Sequence, residues 1–190
     1  SIELAGSIGV KTVVVHAGNV HFDWPREKEL YTLFKAGQAH TQQYNDLKDC
    51  LMGERAAMVG PRLAAVQKSL TELIEYAGLN GVCLGLENRY HYMDIPLPEE
   101  MESLLTLAGP ELIGFWYDVG HAQALDRLGF YPHLQWLGRF AERIVGVHLH
   151  DVIGINDHNA PGLGEVDFNC LLPRIPPEAV ITLEVKSSLS

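Results

Sequence analysis

Five side chains that can bind a metal or move a proton stand at the ends of five short apolar runs. His16 closes Lys11–His16 (KTVVVH), Glu87 closes Val82–Glu87 (VCLGLE) and Asp118 closes Ile113–Asp118 (IGFWYD). His148 closes Ile144–His148 (IVGVH) and Glu184 closes Val180–Glu184 (VITLE). Runs of this length and apolarity suit parallel strands covered on both faces. The C-terminal ends of such strands are where α/β proteins build active sites. A single carboxylate or imidazole there would mark only the solvent end of a strand. Five together, with no Lys, Ser or Thr among them, point to one shared mouth. Oxygen and imidazole donors in company suit Zn, Mn, Co or Fe, or Mg where oxygens dominate. The absence of cysteine from the set argues against a structural zinc site. So many ionisable groups are also costly to gather without a cation.

Further donors lie just past the strand ends. His121 follows Asp118 by three residues, where a loop could turn it back over the strand. His150 stays on the side of His148 if that strand continues, and Asn156-Asp157-His158 comes next. Counting back in twos gives Gly85 and Cys83 from Glu87, Trp116 and Gly114 from Asp118, and Gly146 and Ile144 from His148. Small or apolar residues on the same face as a terminal ligand suit a packed barrel interior with a polar mouth. His21, His40, His91 and His133 fall outside the pattern and read as surface residues. Arg89 is placed either to meet a substrate phosphate or to pair with an acidic neighbour, and Lys186 is within reach of the mouth.

Helical patterns fill the intervals between the strands. The clearest runs from Pro61 to Ala77, with Leu63, Val66, Leu70, Leu73, Ile74 and Ala77 on one face, Pro61 in the first turn and Gly78 at the stop. Others are expected at Glu27–Lys35, Thr41–Met58, Glu99–Ala108, Pro132–Arg143 and Phe168–Leu172. Strand and helix alternate throughout, which means α/β with a parallel sheet. No phosphate-binding glycine motif follows any strand, and Gly162-Leu163-Gly164-Glu165 opens no strong helix.

Composition bounds the partners. The 190 residues carry 14 Lys+Arg against 24 Asp+Glu, a formal charge of −10, which argues against a phosphate-backbone partner. No apolar run is long enough for a membrane helix. The three cysteines, Cys50, Cys83 and Cys170, are too far apart in sequence for a CxxC pair and suit a reducing, cytoplasmic setting. Cys83 reads as a buried thiol.

The segments His16-Ala-Gly, Leu86-Glu87-Asn88-Arg89, Tyr117-Asp118-Val-Gly-His121, His148-Leu-His-Asp151, Asp157-His158-Asn-Ala-Pro-Gly162-Leu-Gly164 and Leu183-Glu184-Val together resemble the xylose isomerase-like TIM barrels. That superfamily includes sugar and sugar-phosphate isomerases and epimerases, and endonuclease IV. The epimerase branch implies one divalent metal (Mn, Mg, Co or Zn) on Glu87, Asp118, His148 and Glu184, with Glu87 and Glu184 also the acid/base pair and His121 on substrate oxygens. The activity implied is a metal-dependent isomerase or epimerase working through an enediolate. The endonuclease branch implies His16, His121 and His158 as further zinc ligands and a phosphodiesterase acting on abasic DNA. Asn156 stands where that branch has a metal-binding aspartate. A non-catalytic barrel that binds metal or ligand is the third alternative, set against by the presence of both glutamates.

The expected partner is a small sugar or polyol, with no membrane and no nucleic acid, and a homo-oligomer stays open. A barrel of this class has eight strand–helix units in about 250 residues, and five strands are legible. The expectation is therefore one partial (β/α)8 domain over residues 1–190. It would lack roughly its first three strand–helix units, with Ile2–Ile8 as the tail of a helix and open edges at the Lys11 and Val180 strands.

Overall fold

Alternating apolar strands can hide both faces only if helices cover one side and side chains fill the other. A computed structural model describes residues 1–21 and 25–186 in this arrangement. Strands β1 (Thr12–Val15), β2 (Cys83–Glu87), β3 (Ile113–Asp118), β4 (Ile144–Leu149) and β7 (Val180–Leu183) form one parallel sheet in the order β1-β2-β3-β4-β7. The sheet is a curled part-barrel of the TIM type, as expected from the sequence. Strands β5 (Asp151–Ile153) and β6 (Asn156–Asn159) form a separate antiparallel hairpin at its mouth.

The outer face of the sheet carries Leu84, Leu86, Phe115, Tyr117 and Val147, all fully buried. Phe115 packs against Trp136 and Phe140 of helix α6 (His133–Phe140), with ring centres 5.7 Å apart in both pairs. The inner face carries Gly85, Trp116 and Gly146. A Cβ on Gly146 would lie 2.1 Å from Trp116 Cζ3, so the indole occupies space that only glycine leaves free. Trp116 is thus interior packing, as its spacing from Asp118 suggests.

Register departs from simple alternation at one point. Phe115 pairs with Ile144 but Trp116 with Gly146, so Val145 is a bulge. Ile144 therefore joins the outer core instead of sharing the inner face with His148, and Val145 is brought over Gly114.

Helix α1 (Ile2–Ser7) and helix α2 (Pro25–Lys35) stand where a helical tail and a helix are expected. Helix α3 (Gln42–Leu79) is a single helix of 38 residues, not two helices meeting at Pro61. The proline ring holds φ near the helical value and forfeits one backbone bond. Buried Leu51 and Arg55 before it, and Leu70 and Ile74 after it, keep both halves on the core. Arg55 pairs with Glu100 in helix α4 (Pro98–Leu105) and donates to the carbonyls of Tyr92 at 2.7 Å and Asp94 at 2.8 Å. That clamp fixes the loop following β2. Cys83 is half-buried rather than fully so. Helix α5 (Val119–Arg127) begins where a loop carrying His121 is expected, and helix α7 (Phe168–Leu171) falls where a short one is expected. No described helix is long and apolar enough to cross a membrane.

Candidate metal centre

Strand register brings the predicted donors together. Asp118 pairs with His148, and Val15 with Leu86, so His16 and Glu87 emerge side by side. Glu87 is 1% exposed and Asp118 is fully buried. His148 Nδ1 lies 3.4 Å from Glu87 Oε1, 3.6 Å from Asp118 Oδ2 and 3.0 Å from Glu184 Oε2. Three of the four residues expected as ligands, Glu87, Asp118 and His148, share one cluster, and Glu184 approaches it through His148. Three carboxylates gather around one imidazole nitrogen, an excess of negative charge that suits a divalent cation. Glu87, Asp118 and His148 each offer a donor atom within 4.8 Å of the others.

The electrostatics follow from this crowding. Burial pushes the Glu87 carboxyl up, but bonds to His148 and His16 outweigh it and bring the pKa down to about 2. Burial likewise opposes ionisation of Asp118, and His121, His148 and His150 hold it far below the carboxylate range. Burial lowers His148, but Asp118 and Glu87 raise its pKa to about 10.

His16 is half-exposed and bonds Glu87 Oε2 at 2.6 Å. Arg89 lies 3.7 Å from Glu87 Oε2 and 3.6 Å from Asp94 Oδ2, so the acidic-neighbour reading holds. His121 is in the first turn of α5, not in a loop, because Asp118 Oδ1 caps that helix by accepting from the His121 N–H at 2.7 Å. His121 Nδ1 meets the Asn88 carbonyl at 2.9 Å. His158 Nδ1 meets the Glu184 carbonyl at 3.1 Å. A carbonyl only accepts, so both rings carry the proton on Nδ1. Their Nε2 atoms face Asp157 Oδ2 at 4.0 and 3.5 Å, making a second group of metal-competent donors. Lys186 Nζ already lies 3.2 Å from Asp157 Oδ1.

Three residues at the site carry roles the sequence reading did not assign. Asn88, fully buried, accepts from the Asp118 N–H at 2.8 Å and donates to its carbonyl at 2.9 Å, locking β2 to β3. His150 is fully buried and reaches both Asp118 oxygens, although β4 ends at Leu149 before it. Its even spacing from His148 was the only sequence signal. Asp151 accepts from the N–H groups of Val152, Gly162, Gly164 and Val166, which accounts for the glycine-rich segment without a phosphate. His133, read as surface, is 5% exposed and bonds Tyr117 and Gln123. His21 and His40 are exposed as expected, and His91 lies by Tyr31 and Glu27.

The chain has relatives among known proteins. A segment of the chain is 38% identical over 72 residues to an inosose dehydratase of Geobacillus kaustophilus, covering 36% of this chain and 22% of that protein. Among solved structures, a D-tagatose 3-epimerase-like protein aligns with a TM-score of 0.63 at 23% identity, over 97% of this chain and 59% of the other. The IOLI protein with a bound zinc atom aligns at 0.60 and 19%, over 97% of this chain and 57% of its own. An L-ribulose 3-epimerase aligns at 0.59 and 17%, over 98% and 52%. These structural likenesses speak for the fold, and the chain spans between half and three fifths of each of these three structures. A family model described as xylose isomerase-like TIM barrel matches residues 1–187, and the chain belongs to that family.

Proposed function

We propose that this chain carries the divalent-metal centre of a sugar- or polyol-modifying enzyme, with Glu87, Asp118, His148 and Glu184 as ligands. The observation that carries the reading is the placing of three carboxylates within 3.6 Å of His148 Nδ1 at the C-terminal mouth of the sheet. A divalent cation held there (Mn, Mg, Co or Zn) would supply Lewis-acid stabilisation of negative charge on substrate oxygens.

Isomerisation, epimerisation and dehydration of such substrates share a first step, removal of a proton from the carbon beside a carbonyl. Glu87 and Glu184 flank His148 and form the acid/base pair. Glu87, buried at the strand end beside His148 and His16, is the group assigned to accept the proton. Glu184, half-exposed on the other side of His148, is the group assigned to return a proton to the resulting enediolate. His121 Nε2 faces the same mouth and would contact a substrate oxygen. The likeness to an inosose dehydratase supports a polyol-derived ketone as substrate class, and the epimerase folds support a ketose.

Proton exchange tests the assignment. With ketoses and inososes in deuterium oxide, Glu87→Gln should lower deuterium incorporation about 10²–10⁴-fold while the chain still binds Co²⁺. Normal turnover by that variant would remove Glu87 from the role.

A zinc phosphodiesterase is the second reading, favoured by the shared Nδ1–H tautomers of His121 and His158 beside Asp157. Two observations weigh against it. His16 is engaged with Glu87, and Lys186 already neutralises Asp157. Metal analysis separates the two: about one divalent ion per chain supports the sugar enzyme, and three zincs with incision at an abasic site support the other.

A further inference from the structure

We infer that His150 is a positioning residue, which fixes the carboxylate plane of Asp118 and so sets the affinity of the metal centre. The inference rests on the proposed metal reading for its effect on binding, and on geometry alone for its effect on Asp118.

Both ring nitrogens of His150 have assigned partners. Nδ1 lies 2.8 Å from the backbone N of His158. A backbone amide only donates, so Nδ1 holds the lone pair and the ring proton sits on Nε2. Nε2 then donates toward Asp118 Oδ1 at 3.0 Å and Oδ2 at 3.1 Å. With no lone pair left, His150 cannot itself be a ligand, although it lies near His158 and Glu184 in a donor group of suitable spacing.

Neighbouring groups hold the ring in this pose. It is fully buried, and the His158 ring stacks on it at 4.4 Å and 15°. Gly120 of α5 also abuts the ring, and a Cβ there would stand 2.1 Å from His150 Cε1. Gly120 therefore serves packing: any larger residue would drive the imidazole off Asp118. Asp118 in turn has one oxygen committed to capping α5 through the His121 N–H. The His150 proton spans both oxygens and stops the carboxylate from rotating about its Cβ–Cγ bond. A ligand carboxylate held this way keeps its geometry when the cation arrives, and such outer partners are typically worth 10–100-fold in metal affinity.

The test uses the full chain, three variants and two readouts. His150→Phe keeps a stacked ring without a donor; His150→Gln restores an N–H at about the position of Nε2; Gly120→Ala displaces the ring without altering it. Zn²⁺ affinity, from competition with a chromophoric chelator, should fall about 10–100-fold in His150→Phe and Gly120→Ala and recover in large part in His150→Gln. The metal-free chain gives the second readout by ¹⁵N NMR. His150 should show the Nε2–H tautomer, and the His121 amide proton should move upfield and exchange faster in His150→Phe. A wild-type chain that binds no Zn²⁺ while the His121 amide responds as described would sink the metal reading and keep the positioning role. An Nδ1–H tautomer, or an unchanged His121 amide in a folded His150→Phe chain, would overturn the positioning role whatever the metal does. If His150→Phe fails to fold, Gly120→Ala carries both readouts.

Discussion

His133 Nδ1 lies 2.7 Å from Gln123 Oε1, and Nε2 faces the Tyr117 hydroxyl. The neutral ring satisfies both partners by donating from Nδ1 and accepting at Nε2. Burial pushes its pKa down to about 4 from an ordinary value of 6.5. Between those two values the unfolded chain binds more protons than the folded one, so stability falls as pH drops through that window. The full effect is about 3 kcal/mol, at about 1.4 kcal/mol per pH unit. Urea unfolding of the wild type and His133→Gln should show it: the wild type loses more stability between pH 7 and about pH 4. Parallel pH slopes for the two chains would remove His133 from this role. Nothing in Pro132-His133-Leu134 announces the burial, because both partners come from other elements, 10 and 16 residues away.

At the scale of elements, the β5–β6 hairpin carries His158 back over the mouth, and Asp151 anchors it. Both carboxylate oxygens of Asp151 are used, on four backbone N–H groups between 2.8 and 3.0 Å. Gly164 closes the loop because a Cβ there would lie 2.4 Å from Asp151 Oδ1. Asp151→Ala strands these donors, and a loss of about 3 kcal/mol is expected, with Asp151→Asn losing less since one oxygen remains. Denaturant midpoints check the order, and an unchanged midpoint in Asp151→Ala would refute the anchor. This hairpin was illegible in the sequence: Asn156-Asp157-His158-Asn159 has no β-forming side chains, and its pairing depends on a contact with a distant loop. Strands β2, β3 and β4 were legible because burial on both faces leaves a continuous apolar run. Helix α5 was missed because its first turn is also the site, so Asp118, Gly120 and His121 read as ligand and loop rather than as cap and helix. The five strand-end donors could be read from position alone. The bulge at Val145 could not, since it changes register without changing composition.

At the scale of the whole molecule, the sheet ends in two strands that pair on one side only among the described residues, β1 and β7. Strand β7 leaves Val180 53%, Ile181 52% and Leu183 63% exposed. Such an edge offers backbone donors and acceptors together with apolar side chains, a template for another strand. The formal charge of −10 opposes approach of a second copy. Salt shortens the range of that repulsion to about 10 Å at about 0.1 M while leaving apolar contact intact. Self-association of this chain should therefore grow with both protein concentration and salt. Val180 pairs with Gly146 of the inner face, so Ile181 and Leu183 point outward, where a new charge meets no ligand. Ile181→Lys places a solvated cation on that edge and should suppress the association while the circular dichroism spectrum is kept. Sedimentation velocity at low and high salt decides the matter. A wild type that stays monomeric in high salt, or an Ile181→Lys chain that associates as strongly, would rule out β7 as the surface through which copies of this chain meet.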